Sequence, residues 1–162
     1  MRHIITVITE HKPGVLARVS GLFSARSFNI ESISVAPVNG EGLSSMVIVV
    51  NGDDWVLEQV TKQLNKIIDV IKVQDMTGKN FIDREMVLLK VNSTKSTRSE
   101  IMQIVNIFKA KIVDISPRTL TIESTGSEAK VKAIIGMLKP FGIKDEVRTG
   151  KIAMSREFIG HV

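Results

Sequence analysis

The first half of the chain alternates between short apolar runs of strand type and longer segments of helical periodicity. Residues 2–9 (RHIITVIT) are rich in β-branched side chains, which predicts a central strand. A helix ending near residues 26–27 is predicted next, because apolar residues recur at helical spacing, at Val15, Leu16, Val19, Leu22 and Phe23. In residues 30–37 apolar and serine side chains alternate, as they do in a half-buried strand.

Four further predicted elements complete this first unit. A turn is predicted at residues 39–42 (NGEG), a third strand at 46–50 (MVIVV) and a fourth at 70–73 (VIKV). Between the last two, Asp53 is a candidate cap for a second helix. That helix has apolar residues at steps of three and four, at Val56, Leu57, Val60, Leu64 and Ile67. The predicted order is therefore β-α-β-β-α-β.

The same order of elements returns in the second half. The predicted strands lie at residues 85–92, 111–115, 120–123 and 143–147. Thr97 followed by Glu100 is a capping-box candidate for the first helix, whereas Gly126-Ser127 opens the second and Lys139-Pro140 ends it. We therefore expect an α+β protein of two tandem ferredoxin-like (βαββαβ) domains, residues 1–76 and 84–162, joined by a polar linker at 77–83.

The loop before the first helix is the candidate binding element. In Lys12-Pro13-Gly14, proline suits a helix start, and glycine lets the backbone approach a ligand closely. The first N–H groups of a helix lack partners and lie at the positive end of its dipole, which suits a carboxylate. Asn29 places an amide at the start of the next strand. A small molecule with a carboxylate and an ammonium could be held between them, although Pro-Gly before a helix is commonly only a turn.

The open edges of such a sheet suggest how the Gly14 loop and Asn29 could come together. A single β-α-β-β-α-β unit has open strand edges and a small core, so two copies can join edge to edge. If the strand at residues 29–35 lies at that seam, the Gly14 loop of one copy faces Asn29 of another. A ligand there binds the associated state and stabilises it by mass action.

Composition excludes several kinds of chemistry. The 162 residues include no cysteine, which removes disulfides, thiolate metal sites and cysteine nucleophiles. The three histidines are too scattered to suggest a metal site, and His3 and His161 are expected at the surface or at strand ends. The amino terminus has no signal-peptide pattern, and no apolar run approaches transmembrane length. We expect a cytoplasmic protein without membrane contact.

Charge is uneven along the chain. Residues 1–79 hold eight basic and eight acidic side chains, whereas residues 80–162 hold 14 and nine, which accounts for the whole net charge of +5. A nucleic-acid-binding second half is one interpretation. A solvated face or a protein contact is favoured, because basic runs and tyrosine are lacking and aromatic residues are few. An enzyme is disfavoured, since no phosphate loop, nucleophile elbow or metal-ligand spacing occurs.

Several blocks together resemble one known family. They are EHKPGVLARVSGLF (10–23), FNIESISV (28–35), LEQVTKQLNKIIDVIKV (57–73), REMVLLKV (84–91), IFKAKIVDISPRTLTIESTG (107–126), LKPFGI (138–143) and MSRE (154–157). The first two are similar to the ACT-domain signature of the small, regulatory subunit of acetolactate synthase (acetohydroxyacid synthase), and the others extend the resemblance over nearly the whole chain.

This resemblance implies a regulatory protein without catalytic activity or cofactors of its own. Such subunits bind the large catalytic subunit, which uses thiamine diphosphate, Mg²⁺ and FAD. They raise its activity and confer feedback inhibition by valine in branched-chain amino-acid biosynthesis. In the family the effector lies between the ACT domains of a homodimer. By position, Gly14, Val15 and Leu16 would present N–H groups to its carboxylate. Asn29 and Ile30 of the other subunit would supply a polar grip and apolar cover.

His11 departs from this pattern, because many relatives have Asn or Asp there. A neutral imidazole can accept a hydrogen bond from the ligand's ammonium and a protonated one cannot. A solvent-facing His11 without any contact is an equal alternative. The preference among valine, leucine and isoleucine is open. So is a stand-alone ACT-domain sensor that controls another enzyme or a transcription factor.

Overall fold

The computed structural model describes residues 1–38, 40 and 42–156. Two positions of the predicted turn at 39–42, the last residue of the block at 154–157, and His161 lie outside the described residues. The α+β prediction is confirmed. The elements, in chain order, are β1 (Arg2–Glu10), α1 (Val15–Ser24), β2 (Ile30–Val38), β3 (Leu43–Asn51), α2 (Asp54–Leu64), β4 (Val70–Asp75), β5 (Phe81–Asn92), α3 (Arg98–Ile107), β6 (Lys111–Ile115), β7 (Thr119–Gly126), α4 (Glu128–Leu138), β8 (Ile143–Arg148) and β9 (Ile152–Ser155).

The first unit comprises Met1–Ile82 and the described residues 151–156. Its antiparallel sheet has the order β2-β3-β1-β4, which is the ferredoxin-like arrangement. Two β1 residues that face the helices, Ile5 and Val7, lie opposite Ile48 and Met46 of β3. These four side chains are almost fully buried and form the core together with apolar residues of α1 and α2, namely Val15, Val19, Phe23, Val60 and Leu64.

The other face of this sheet is also covered in part. Ile4, Val47 and Val49 form a second cluster with Met76, against which Phe81 and Ala153 pack. The predicted linker at 77–83 already contains the start of β5, at Phe81. The Phe81 side chain packs against the apolar cluster on the first sheet, which explains why the strand begins this early. Strand β9 was not predicted; it pairs with β5, and the Arg156 N–H donates to the Asn80 carbonyl at 3.0 Å.

The second unit, Asp83–Gly150, repeats the same plan. Its strand path runs β6-β7-β5-β8, which corresponds position by position to the first sheet. Alternate β5 residues, Val87, Leu89 and Val91, point into a core completed by α3, β7 and α4. The fold predicted from periodicity is therefore confirmed in both halves.

Local cap chemistry explains where α2 and α4 begin. Asp53 accepts a hydrogen bond from the Val56 N–H at 2.9 Å, so the predicted cap of α2 is confirmed. Ser127 accepts from the Lys130 N–H at 3.4 Å at the start of α4. The predicted capping box at Thr97 is wrong, because its side chain makes no cap hydrogen bond. Thr97 Oγ1 accepts instead from the Thr94 N–H, at 3.0 Å.

Candidate functional site

Helix α1 begins at a glycine and has no side-chain cap. Gly14 has φ of +84°, the left-handed region in which side chains are strained. Its carbonyl accepts from the Arg18 N–H at 3.0 Å, and the Val15 N–H makes a long 3.4 Å contact with the Lys12 carbonyl. Within the described ranges, the N–H groups of Gly14, Leu16 and Ala17 have no acceptor. The helix therefore presents unpaired donors at an exposed end.

The charge distribution at this end favours an external anion. Helices α2, α3 and α4 each carry an acidic residue in the first turn, Asp54, Glu100 and Glu128 respectively. Helix α1 carries none, so no acidic side chain of its own first turn answers the positive end of its dipole. Beside the loop, Lys12 contacts Glu10 in an exposed ion pair. The hydrogen bond and charge of Glu10 raise the pKa of Lys12 above its ordinary value, so Lys12 is cationic at neutral pH.

His11 is held against the hairpin that joins β2 to β3. Its backbone N–H donates to the Gly42 carbonyl at 2.6 Å, and its Nδ1 lies 2.7 Å from Oγ of the buried Ser44. The imidazole is exposed, and its Nε2 has no partner within the described residues. The structure thus fixes the ring at the loop and leaves one nitrogen available.

Two of the predicted site residues have side chains that pack in or against the core. Val15 is 3% exposed, and Ile30 is half-buried against the same cluster. Val15 can therefore contribute backbone only, and Ile30 only the exposed part of its side chain. Leu16 is different, because 46% of it is exposed beside the unpaired N–H groups. Ala17 also has an unpaired N–H, but it was not among the predicted site residues. Its position in the first turn of the predicted helix could have indicated this free donor.

Asn29 lies at the opposite end of the first sheet from the Gly14 loop. Glu10 at the end of β1 is level with Leu43 of β3, whereas Ile30 at the start of β2 is level with Val50. Seven residues of strand separate the two levels, roughly 23 Å at the usual rise. A free amino acid is much shorter than this. Within one chain, the structure therefore brings His11, Gly14, Val15 and Leu16 together and keeps Asn29 and Ile30 apart from them.

A second copy can close this gap. Strand β2 is an edge of the first sheet, and its outward side is exposed at Val35, Ala36 and Pro37. Two such edges related by a two-fold axis run antiparallel, which puts the end of one β2 beside the start of the other. Asn29 is exposed, and its amide has no hydrogen-bond partner among the described residues. The predicted pairing of the two sets across copies is thus geometrically possible, and it stays a prediction.

The other described surfaces give weaker evidence for a binding site. A shallow groove of about 340 Å³ on the second unit is lined by Leu88, Lys90, Asp114, Thr121, Asp145 and Val147, none of which is a predicted site residue. Among the described residues, no group of three or more histidine and acidic side chains could hold a metal ion. Within the same ranges, no helix has the length and apolar character needed to span a bilayer.

Comparison with known families gives one match in each half of the chain. The profile for the AHAS small subunit-like ACT domain matches residues 5–72, and the profile for the small subunit of acetolactate synthase matches residues 84–157. Fold and sequence together define an α+β protein whose first unit is an ACT domain. The chain belongs to the acetolactate synthase small subunit family.

Individual relatives support the assignment over nearly the whole chain. The acetolactate synthase small subunit of Aquifex aeolicus is 50% identical over 157 residues, covering 96% of this chain and 82% of that protein. The corresponding protein of Mycolicibacterium smegmatis is 47% identical over 154 residues, with 95% and 91% covered. The crystal structure of the small subunit from Thermotoga maritima superposes with a TM-score of 0.90 at 40% identity, covering 98% of this chain and 99% of that one.

Proposed function

We propose that this chain is the regulatory subunit of an acetolactate synthase. It binds the catalytic subunit, raises its activity and confers feedback inhibition by valine or another branched-chain amino acid. Catalysis, with thiamine diphosphate, Mg²⁺ and FAD, belongs to the catalytic subunit. Family membership supports the partner, and the uncapped start of α1 supports the effector site.

The observation that carries the effector site is the set of unpaired N–H groups at Gly14, Leu16 and Ala17. These donors suit a carboxylate at the positive end of α1. The exposed side chain of Leu16 offers apolar surface for a branched aliphatic group. Asn29 of a second copy then supplies the polar grip, and the unpartnered Nε2 of His11 supports a contact with the ammonium.

A charge placed at Gly14 tests the site directly. Gly14→Asp puts a carboxylate beside the ligand's own, and Gly14→Asn is the matched control with the same shape and no charge. A Cβ at this position has open space, and both residues tolerate the left-handed region better than others do. Calorimetric titration of the full chain with valine, leucine and isoleucine should show affinity at least about tenfold weaker for Asp than for Asn. Equal affinities for the two variants contradict the site.

The partner is tested separately from the effector. The full chain, mixed with a purified acetolactate synthase catalytic subunit, is expected to co-elute with it, raise its activity and make that activity valine-sensitive. Valine binding without co-elution or activation would indicate the alternative, a stand-alone ACT-domain sensor. Activation without sensitivity to valine, leucine or isoleucine would retain the partner and remove the effector site.

A further inference from the structure

Asp69 is a buried carboxylate beside the effector loop that the proposed function does not use. It lies between α2 and β4, and its side chain is only 8% exposed. Its Oδ2 is 2.9 Å from Nη2 of Arg18, the fourth residue of α1. Carboxylates are seldom buried unless a cation compensates them, and Arg18 supplies that charge.

The contact is an ion pair without an aligned hydrogen bond. Asp69 Oδ2 has no hydrogen-bond donor in the described part of the chain, although the Arg18 nitrogen is close. Thr9 Oγ1 is likewise buried and without a partner, and Thr9 is paired with Val70, the residue after Asp69. Buried polar atoms without hydrogen bonds, such as Thr9 Oγ1 and Asp69 Oδ2, cost stability. Stability alone therefore does not explain why both lie here.

The backbone of Asp69 is hydrogen-bonded to the strand that leads into the loop. Its carbonyl accepts from the N–H of Glu10, the last residue of β1, at 2.9 Å. The loop at residues 11–14 begins directly after Glu10 and leads into α1. Asp69 thus connects the end of β1 through its carbonyl and the first turns of α1 through its carboxylate. The donor-bearing loop lies between these two attachments.

We propose that Asp69 is a positioning residue, which fixes the unpaired N–H groups of α1 through Arg18. This inference rests on the proposed effector site. Without the ion pair, the first turn of α1 keeps the packing of Val15 but loses the contact that ties its fourth residue to the end of β1. Its amides then sample more orientations, and a ligand that needs several of them at once binds less tightly.

The second unit provides a matched control. Glu85 is 5% exposed and pairs with Arg148 at 2.6 Å, so it is an equally buried carboxylate with an arginine partner. It lies on β5, in the unit without the effector loop. Neutralising it should reduce stability without changing the affinity for an amino acid bound at the first unit.

The experiment compares Asp69→Asn, Arg18→Gln and Glu85→Gln in the full chain. Valine affinity is measured by calorimetry, and NMR follows exchange of the amide hydrogen of residue 18, which is bonded to the Gly14 carbonyl. The first two variants should each bind valine about three- to thirtyfold more weakly, and the double variant no more weakly than either. Exchange of the residue 18 amide should rise, because its hydrogen bond closes the first turn of α1, and exchange in α2 should stay unchanged. Glu85→Gln should leave both readouts as they are.

The outcomes separate the two proposals. Trp55, the only tryptophan of the chain, lies in the first unit and reports by its fluorescence whether that unit remains folded. If Asp69→Asn fails to fold, Arg18→Gln removes the same ion pair from its half-exposed side. Unchanged affinity and exchange in the folded variants overturn the positioning role. If the unaltered chain binds none of the three branched-chain amino acids, the proposed effector site fails, and the exchange comparison still decides whether Asp69 orders this turn.

Discussion

At the scale of single residues, the candidate site depends on Gly14 and on the backbone N–H groups that remain unpaired beside it. The φ of +84° at Gly14 selects glycine, and the absence of a side chain leaves the adjacent donors accessible. His11 is held at this loop by a hydrogen bond from its backbone N–H to the Gly42 carbonyl and by the contact of its Nδ1 with Ser44 Oγ. Its protonation state matters for the proposed effector site only if this ring contacts the ligand's ammonium.

Lowering the pH should weaken valine binding if His11 contacts the ligand. Protonation removes the acceptor lone pair and adds a positive charge beside the ammonium, so both effects oppose binding. Calorimetry between about pH 8 and about pH 5.5 should show a rising dissociation constant in the unaltered chain. His11→Asn keeps an acceptor and cannot be protonated in this range, so its profile should be flat. A flat profile in the unaltered chain removes His11 from the site.

At the scale of elements, the helix starts differ in what closes them. Asp53 and Ser127 accept hydrogen bonds from backbone N–H groups in the first turns of α2 and α4, whereas α1 leaves its donors unpaired. The caps of α2 and α4 thus contribute stability, and the unpaired donors at the start of α1 are available for binding. The different lengths of the two cap hydrogen bonds, 2.9 Å and 3.4 Å, imply different contributions.

Asp53→Ala should therefore lower stability more than Ser127→Ala. Loss of a well-formed cap costs about 1 kcal/mol, and the longer Ser127 contact should cost less. Urea denaturation followed by Trp55 fluorescence reports on the Asp53 variant, because both residues lie in the first unit. Circular dichroism serves for the Ser127 variant. A larger loss at Ser127 would mean that the cap distances do not govern the stability of these helices.

Sequence reasoning succeeded where local pattern determines structure. The periodicity of α1, α2 and α4 and the β-branched run of β1 placed these elements within a few residues of their observed bounds. Strand β3 begins at Leu43 rather than residue 46, because Ser44 and Ser45 pair with β1 although they lack apolar character. Strand β9 and the contact of Arg18 with Asp69 depend on residues distant in the chain, and no local pattern indicates them.

At the scale of the whole molecule, two units with one strand order differ at corresponding loops. In the second unit, the hydroxyls of Thr94 and Thr97 lie 3.0 Å apart and accept from each other's backbone N–H before α3 begins. The equivalent loop of the first unit has Pro13 and Gly14, which offer no such side chains. A repeated fold thus carries one loop closed by its own side chains and one open to a ligand.

The two edges of the first sheet make association testable. Val35 is 41% exposed on the β2 edge, and Ile71 is 57% exposed on the β4 edge, so lysine at either position adds a similar exposed charge. If copies associate through β2, Val35→Lys places like charges near a two-fold axis and should shift the chain toward monomer. Analytical ultracentrifugation measures this shift, and Ile71→Lys should leave association unchanged. Valine should strengthen association of the unaltered chain and not of Val35→Lys, because a site built from two copies is complete only in the associated state. Dissociation by Ile71→Lys alone would place the seam on β4, where Asn29 cannot face the Gly14 loop of a neighbour.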